Sequence, residues 1–394
     1  MSSDNLSTTT STDTFPGFVD VGVDLAKNCF QVAYLDPKTR KLINRQLTRS
    51  KFYNFICDPK GFSKRIAVEA CGASHYWCRE AAAHGHKAIM IPASATSTFV
   101  QTNKSDVNDA RAIWQLMHCP GIQTVRPRCE ANQMLGCLLK YREKLITEKT
   151  KVSNWIRSQL YELGEITSLG TGNVIKLADE VVGKAKTDGK EWSDIIDVLS
   201  DSWHKIINAF DEDIRTVDEF ITKRAETSEF CKRLMTIPFI GPVSATAIEY
   251  VMEDPTFYAN GRQFAAYSGF APRHTGTGGK ITIVGVDHQG NHMLKRILFQ
   301  AAMSLYMRAK TPASPRKRLA GRKYISKWID DIALRKPIKK IVCAIANRLC
   351  RIAWAVASKG VEFDDSMTTL VRRLRQDPKG VKNKLEDDSQ EYNI

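Results

Sequence analysis

Two short apolar runs near the N-terminus each end in a carboxylate, and this pattern constrains the fold of the chain more than any other. One run ends at Asp24 and the other at Glu69, while Asp106 and Asp109 are three residues apart in a segment that predicts a helix. Residues three apart share one helical face. Carboxylate oxygens suit Mg²⁺, and two such ions can hold the attacking and leaving oxygens of a phosphodiester. The four acids together indicate a magnesium site, although each one taken singly is more often an ordinary surface residue.

The pattern from residue 18 to residue 119 alternates between strands and helices. Strands are predicted at residues 18–24, 29–35, 41–47, 65–69 and 87–91, and helices at 51–57, 75–84 and 106–118. The second helix is predicted to begin after an N-cap at Ser74 and to stop at Gly85. Three antiparallel strands followed by helices and two further strands is the order of the RNase H-like α/β fold. By analogy with that fold, the first and fourth strands are neighbours, which would bring Asp24 next to Glu69.

Composition bounds the partners and the compartment. The chain has 394 residues, a formal net charge of +15 and ten cysteines, and its pI is near 9.3. A basic chain of this length predicts two or three domains and a polyanionic partner, with nucleic acid first and an anionic membrane surface second. No apolar run of transmembrane length is expected. Residues 1–17 predict a disordered tail on a cytoplasmic protein, and cysteines without a CxxC pair predict reduced thiols.

Beyond residue 130 the chain predicts mostly helix. Residues 130–226 form a helical segment, residues 227–360 a second and mostly helical domain, and residues 361–394 a C-terminal tail. The helical segment carries apolar residues at alternating steps of four and three: Trp203, Ile207, Phe210, Ile214, Val217 and Ile221. This seam has two interpretations. It belongs either to a helix packed within its own domain, or to an antiparallel or intermolecular coiled coil that spaces two domains and joins subunits.

The entry to the second domain resembles a helix-hairpin-helix, whose turn can hold a backbone phosphate. The usual motif has glycine where this chain has Phe239, and an inert helical turn is the alternative. Several basic segments follow at residues 308–310, 316–318, 322–323, 335–336 and 339–340. Charge runs commonly form solvated faces, but several in one domain of a cationic chain favour a surface that contacts phosphates.

A glycine-rich segment at residues 269–280 is a second candidate site. It fails as a phosphate-binding Walker loop, because Ile281 stands where a hydroxyl residue should follow Lys280. The segment instead predicts a flexible loop that presents Thr275 and Thr277 beside basic residues, and a hydroxyl next to cations can attack a phosphorus atom. A flexible surface turn is the alternative interpretation.

Six segments together resemble one family. They lie at residues 21–32, 68–77, 101–113, 235–242, 261–273 and 290–296, and the first reads Val-Gly-Val-Asp-Leu-Ala-Lys from residue 21. In this order they are similar to the DEDD transposases of bacterial insertion sequences of the one-ten family, and more specifically to its eleven-eleven branch. The resemblance covers about residues 18–130 and 230–315, with a weaker stretch at 347–360.

The resemblance implies an RNase H-like domain similar to the junction resolvase RuvC, a helical coiled-coil linker and a mostly α transposase domain. Members of the family are RNA-guided recombinases, in which a structured non-coding bridge RNA pairs with donor and target DNA. Carried over by position, the acids that hold Mg²⁺, or Mn²⁺ as an alternative ion, are Asp24, Glu69, Asp106 and Asp109. The serine that becomes linked to a DNA 5′ phosphate in the family corresponds here to Thr277.

Threonine at this position leaves three interpretations. Threonine has the same hydroxyl as serine, but its β-methyl group restricts χ1. In the first interpretation Thr277 acts as the nucleophile. In the second the protein is slow, and in the third it binds nucleic acid without cutting it. The residues expected to contact nucleic acid are Lys104, Arg111, Arg273, His274, Lys280, Lys295 and Arg296. The resemblance further implies a homodimer, or a tetramer of two dimers around a Holliday junction, with no membrane partner. The competing classes are a hydrolytic nuclease or junction resolvase, a DNA invertase of the same family, and a non-catalytic nucleic-acid-binding protein.

Overall fold

The computed structural model describes residues 17–99, 105–278, 280–286, 290–310 and 323–365. The chain divides into two compact units, Met1–Gln133 and Met134–Ile394. Lys104, almost all of the predicted N-terminal tail and the C-terminal tail beyond Asp365 lie outside the described residues, as do the basic segments at 316–318 and 322.

The first unit contains a sheet with helices on both sides. Its elements in chain order are β1 (Val19–Leu25), β2 (Cys29–Leu35), β3 (Leu42–Thr48), α1 (Arg49–Cys57), β4 (Lys64–Glu69), α2 (Ser74–Ala83), β5 (Lys87–Ile91), α3 (Ala93–Phe99) and α4 (Asp106–Leu116). The strands and three of these helices were predicted from the sequence, and α3 was not. The predicted N-cap is wrong, because Ala73 caps α2 with φ 66° and Ser74 is already its first residue.

The five strands are ordered β3-β2-β1-β4-β5. β1 pairs antiparallel with β2, and β2 pairs antiparallel with β3. β1 pairs parallel with β4, and β4 pairs parallel with β5. The predicted adjacency of the first and fourth strands is therefore confirmed. This strand order is the one that the predicted RNase H-like fold requires. The region is mixed α/β, and the described remainder of the chain is mostly helical.

Each face of the sheet is covered by helix. On one face, Val21 and Val23 of β1 pack in a core with Phe52 of α1 and Trp77 of α2. On the other, residues of β4 and β5 pack against the apolar side of α4: Ala67, Ile91, Ile113 and Leu116. Successive side chains of a strand point to opposite faces. The even-numbered residues of β1, including Asp24, therefore face α4.

The second unit is helical apart from one hairpin. Its elements are α5 (Glu130–Glu162, which begins in the first unit), α6 (Thr171–Thr187), α7 (Ser193–Thr227), α8 (Glu229–Met235), α9 (Pro242–Met252), a 3₁₀ turn at Pro255–Phe257, α10 (Gly261–Tyr267), β6 (Pro272–Thr277), β7 (Lys280–Val286), α11 (His292–Lys310), α12 (Lys323–Ala333) and α13 (Ile338–Lys359).

Helices α5 and α7 run antiparallel along each other. Arg142 of α5 binds Asp218 of α7, with Nη2 and Oδ2 3.0 Å apart. Farther along α5, Trp155 lies edge-on to Trp203 with ring centroids 6.1 Å apart. Residue numbers rise on one helix as they fall on the other, which defines the antiparallel direction. Between these points Lys149 forms an ion pair with Asp211.

The apolar seam of α7 is buried inside the second unit. Trp203 and Ile207 belong to a smaller core that α7 shares with α6 and the end of α5. Val217 and Ile221 belong to a larger core that includes residues of α8 to α13. The seam therefore packs within its own unit, and the intermolecular coiled coil is not supported along it. The larger core includes described residues on both sides of residue 227, and the domain boundary there stays a prediction.

Helix α13 is long and apolar enough to span a membrane by length and composition, with a mean hydropathy of 1.4 and half of that window buried. The expectation that no segment would qualify is therefore wrong. Ile345, Leu349 and Ala353 of this helix are buried in the larger core, as in the central helix of a globular domain. Each of the ten cysteines is a free thiol, which agrees with the prediction.

Candidate functional site

Asp24 and Glu69 lie side by side at one edge of the sheet. The parallel register of β1 and β4 pairs Val23 with Val68, and the next residue on each strand is the carboxylate. Both acids are half-buried. Since the two strands are parallel and in register, both side chains emerge on the α4 face of the sheet. Folding therefore sets the spacing of this acid pair.

Helix α4 crosses the same face with its backbone against β1. A Cβ atom added to Gly22 would lie 2.6 Å from the carbonyl oxygen of Ala110, so only glycine allows this approach. Toward the other end of β1, the Trp114 indole donates to the Asp20 carbonyl at 3.1 Å, and His118 reaches the Asp20 carboxylate. The C-terminal part of α4 thus lies over Asp20, and its first turn points toward the Asp24 end of the strand.

Asp106 and Asp109 lie in this first turn. Ser105 caps the helix by accepting a hydrogen bond from the backbone N–H of Asn108. Asp106 is exposed, and Asp109 is nearly buried, with 9% of its surface exposed. Carboxylates at a helix N-terminus are stabilised by the unpaired N–H groups and the helix dipole. The first turn can therefore carry both negative charges.

Two polar residues of the sheet fasten this turn. Gln31 is the partner of Asp24 on β2, and its side-chain amide donates to Oδ1 of Asn44 at 2.6 Å. Asn44 in turn donates to the carbonyl oxygen of Val107 at 2.9 Å. A chain of hydrogen bonds therefore runs from the strand position beside Asp24 to the turn that carries the other two acids.

Asp20 forms a second anchor, at the far end of α4. Arg65 binds it through Nε at 2.7 Å, and His118 binds it at 2.8 Å. Burial acts to raise the pKa of Asp20, but the hydrogen bonds from His118 and Arg65 outweigh burial and lower it. The pKa of His118 is raised, chiefly by its hydrogen bond to Asp20. This network holds the helix on the sheet.

Four residues of this region were not predicted from the sequence: Gln31, Asn44, Asp20 and His118. One signal was available. Asp20 and Gly22 alternate with Val21 and Val23, so Asp20 lies on the same strand face as Asp24. A charge on a strand that is covered on both faces requires a partner. The partners Arg65 and His118 are 45 and 98 residues away, and local patterns cannot identify them at such separations.

The acids offer the donor chemistry of a divalent-metal site. All four supply hard carboxylate oxygens, which fit Mg²⁺ or Mn²⁺. Burial raises the pKa of the Cys71 thiol, and the carboxylates of Glu69 and Asp24 raise it further, which reflects the negative charge at this edge. Among the described residues, however, no three His, Cys, Asp or Glu side chains stand close enough to hold one ion. Asp24 and Glu69 end adjacent strands, and Asp106 and Asp109 lie in the first turn of the helix that crosses the same face of the sheet.

Thr277 lies at the end of an exposed β-hairpin and not in a flexible loop, so that part of the interpretation is corrected. It is the last residue of β6 and pairs with Lys280 of β7. The turn begins at Gly278 with φ 59°, and Gly279 lies outside the described residues. All six residues of β6 are exposed. The hydroxyl of Thr277 is therefore presented at the tip of an arm.

The other predicted nucleic-acid contacts differ in their surroundings. Arg111 on α4 and three residues of the hairpin are exposed: Arg273, His274 and Lys280. Arg296 of α11 forms an ion pair with Glu143, which makes its guanidinium group less available to a phosphate than the sequence predicts. Lys295 precedes it on α11. Burial raises the pKa of the nearby Cys343 thiol, and the positive charge of Lys295 partly offsets that increase.

The helix-hairpin-helix-like entry keeps its turn despite the missing glycine. Phe239 adopts φ 65° between α8 and α9, which is the left-handed conformation that glycine adopts readily. Gly241 is the N-cap of α9, and Pro242 is the first residue of that helix. Phe239 therefore holds a glycine-like conformation at a cost in strain, and the helix-hairpin-helix itself stays a prediction.

Two protein-family models match the sequence of this chain. A DEDD transposase model for IS110 matches residues 21–164, which include the four acids. A model described as Transposase IS116/IS110/IS902 family matches residues 231–318, which include Thr277. The matched regions thus carry both candidate sites.

Curated relatives align along most of the chain. The transposase for insertion sequence element IS1328 of Yersinia enterocolitica is 28% identical over 88% of this chain and 99% of its own length. A putative transposase, y4pF/y4sB, of Sinorhizobium fredii is 28% identical over 88% of this chain and 85% of its own length. The transposase for IS1111A of Coxiella burnetii is 26% identical over 86% of this chain and 89% of its own length.

The family models and the curated relatives support a DNA transposase or recombinase enzyme. The chain belongs to the IS110/IS116/IS902 family of insertion-sequence transposases.

Proposed function

We propose that the chain is an RNA-guided DNA recombinase that moves an insertion-sequence element. Strand cleavage uses the acid edge formed by Asp24, Glu69, Asp106 and Asp109, together with the hydroxyl of Thr277. The observation that carries the proposal is the placement of Asp24 beside Glu69 on parallel strands, with the acid-bearing turn of α4 fastened to the same face by Asn44.

The acid edge would hold divalent ions through carboxylate oxygens. Asp24 and Glu69 supply the fixed part, because two hydrogen-bonded strands set their spacing. Asp106 and Asp109 supply the helical part. Bound Mg²⁺ would neutralise charge on the scissile phosphate and stabilise the oxygens that attack and leave. The RuvC-like fold fits this division, since strand-end acids in such a sheet all emerge at one edge.

Thr277 provides the covalent step. Its Oγ1 forms a bond to the scissile phosphorus as the bond from phosphorus to the 3′ oxygen breaks. The hydroxyl proton passes to solvent, and the departing 3′ oxygen takes up a proton. The product is a phosphothreonine ester at the DNA 5′ end. In the reverse step, the 3′ hydroxyl of the exchanged strand displaces Thr277, so rejoining needs no nucleoside triphosphate.

The exposed position of Thr277 supports this role. Every residue of β6 is exposed, so the hydroxyl of Thr277 lies at the surface, where a DNA strand can approach it. Lys280 is its cross-strand partner. A cation beside the hydroxyl stabilises the charge that develops on the phosphate during attack.

The partners follow from the same proposal. Donor and target DNA are the substrates, and a structured bridge RNA pairs with both. The net charge of +15 supports binding of several polyanionic strands. Strand exchange between two DNAs calls for at least a homodimer, and a homotetramer holds a Holliday-junction intermediate. Such an enzyme works in the bacterial cytoplasm, at the nucleoid.

The test is recombination with full-length protein, Mg²⁺, an RNA from the non-coding DNA that flanks the gene, and paired donor and target DNAs. Products are run on denaturing gels to detect a protein–DNA adduct. Thr277→Ala should abolish the adduct, and Thr277→Ser should retain or raise activity. Asp106→Asn should abolish cleavage. Thr187→Val and Asp213→Asn are matched controls at exposed helical positions and should behave as wild type.

The alternatives give different results. A hydrolytic nuclease or junction resolvase would need the acids but would still cleave as Thr277→Ala, since water attacks. A non-catalytic binding protein would cleave in no variant. A DNA invertase of the same family would form the adduct and join two sites within one DNA. Wild-type cleavage by Thr277→Ala without an adduct, or by Asp106→Asn, would refute the proposed chemistry.

A further inference from the structure

The hairpin of β6 and β7 has two chemically different faces. The two strands form a separate two-stranded sheet, and no third described strand pairs with them. A two-stranded ribbon is only marginally stable in water by itself. The exposure of every residue of β6 therefore leaves this ribbon open to an external partner.

The register assigns residues to each face. Thr275 pairs with Thr282, and Thr277 pairs with Lys280. Paired residues point to the same face, and residues two apart on a strand do too. The face that carries Thr277, here called the hydroxyl face, includes Thr275, Lys280 and Thr282. Arg273 belongs to it as well, because it lies two residues before Thr275 on β6. The register shifts between Arg273 and His274, whose partners are Gly285 and Ile283, so β7 contains the extra residue. His274 alternates to the opposite face and is not part of this surface.

The hydroxyl face has the composition of a phosphate-binding surface. It presents three hydroxyl groups and two cations, and it contains no carboxylate. All five residues are exposed. Arginine, lysine and threonine side chains are common donors to the phosphate oxygens of nucleic acids. Thr275 and Thr277 are about 6.6 Å apart along the strand, which is comparable with the separation of neighbouring phosphates on a nucleic-acid strand.

We infer that the hydroxyl face lies along the sugar–phosphate backbone of the DNA strand that is cleaved. Arg273, Thr275 and Thr282 hold phosphates that flank the one attacked, and these contacts place the scissile phosphate at the tip of the ribbon. They are made to the backbone and carry no base sequence. The inference rests on the proposed role of Thr277 and adds the substrate contacts that accompany it.

The test measures binding separately from chemistry. Full-length protein is titrated with a fluorescent DNA duplex over a series of salt concentrations, with Ca²⁺ in place of Mg²⁺. Arg273→Gln should make the slope of log K against log salt shallower by about one, the loss of one phosphate contact. The double variant Thr275→Val/Thr282→Val keeps strand-forming side chains and should weaken binding about tenfold.

Controls separate this surface from charge and hydroxyl number in general. Lys359→Gln removes an exposed cation from α13, and Thr187→Val removes a hydroxyl from α6. Both should match wild type. Arg273→Lys keeps the charge and should keep the salt slope. Circular dichroism confirms that each variant is folded. Arg273→Ala replaces Arg273→Gln if that variant fails to fold, and the single change Thr275→Val replaces the double variant.

The outcomes for the two proposals are distinct. If the ribbon variants bind DNA like the controls while wild type still forms the Thr277 adduct, the hydroxyl face is not the DNA surface and the proposed function stands. A loss of RNA binding with DNA binding unchanged would also overturn the inference. If Thr277→Ala forms the adduct, the proposed function fails, whatever the ribbon variants show.

Discussion

The side-chain amide of Asn44 donates a hydrogen bond to the backbone carbonyl of Val107 at 2.9 Å. Asn44 belongs to the edge strand β3, and Val107 lies between the two acids of α4. Because Gln31 holds the other end of the Asn44 side chain, the amide is fixed in orientation. The link makes the position of the helical acid pair depend on a residue that carries no charge.

Asn44→Ala should weaken metal binding at the acid edge. Outer residues that orient metal ligands typically change affinity or activity by 10- to 100-fold, so we expect the Mg²⁺ concentration for half-maximal cleavage to rise about tenfold. Loss of a part-buried hydrogen bond should also cost about 1 kcal/mol of folding stability. Asn208→Ala, at an exposed position of α7, is the control. An unchanged Mg²⁺ titration would leave Asn44 with a structural role only.

The pair of His118 and Asp20 should make folding stability depend on pH. The pKa of His118 is raised above 6.5, so the folded chain binds this proton more tightly than the unfolded chain does. The contribution to stability is complete below about pH 6.5 and is lost as the pH rises through the raised value. The measurement is the difference in urea midpoint between wild type and His118→Asn over this range.

The difference between wild type and His118→Asn separates the effect of His118 from that of His86, whose pKa is shifted in the opposite direction. The pKa of His86 is lowered, chiefly by burial, so its contribution is present above 6.5 and is lost as the pH falls. It is common to both proteins and cancels. A difference that stays constant with pH would show that the pKa of His118 is the same in the folded and unfolded chains.

Gly22→Ala should destabilise the first unit. The added Cβ would meet the backbone nitrogen of Trp114 and would lie 2.6 Å from the carbonyl oxygen of Ala110. Both of these neighbours are backbone atoms of α4, so the helix must move away from β1. Overpacking of this kind costs about 1–3 kcal/mol, and the shift should also reduce Mg²⁺-dependent cleavage. Gly183→Ala in α6 meets no atom within 4 Å and should be neutral or slightly stabilising. Thermal unfolding measures both, and equal melting temperatures would contradict the close approach.

Phe239→Gly should be more stable than Phe239→Ala. Phe239 has φ 65°, which costs a residue with a Cβ atom about 1–2 kcal/mol relative to glycine. Both variants remove the same ring, and only glycine relieves the backbone. We expect a difference of about 1 kcal/mol in denaturant unfolding. If alanine is as stable as glycine, the turn does not hold the left-handed conformation.

The strand-end acids could be predicted because they depend on local patterns. Apolar runs that end in Asp24 and Glu69 identify two strands, and the order of elements by analogy makes them neighbours. The spacing of Asp106 and Asp109 gives their common face without any knowledge of tertiary contacts. Helix α3 and the contacts of Asp20 and Asn44 were beyond reach, since they depend on which elements meet in space.

The hairpin shows a different kind of failure. Thr277 and Lys280 flank a Gly-Gly pair, which is a recognised two-residue hairpin turn, and the segment after it alternates apolar and polar residues. The signal was present but was read as a flexible loop, because the glycines dominated the interpretation. The α7 seam left two interpretations open for a different reason. Its heptad spacing is real, and periodicity alone does not say whether the partner is the same chain or another.

Helix α7 forms a wall of both cores of the second unit, the smaller through Trp203 and Ile207 and the larger through Val217 and Ile221. Because both cores depend on this helix, we expect neither core to unfold on its own. The two should therefore unfold in a single cooperative transition. A gene interrupted within the codons for residues 193–227 would therefore encode no independently folded half of this unit.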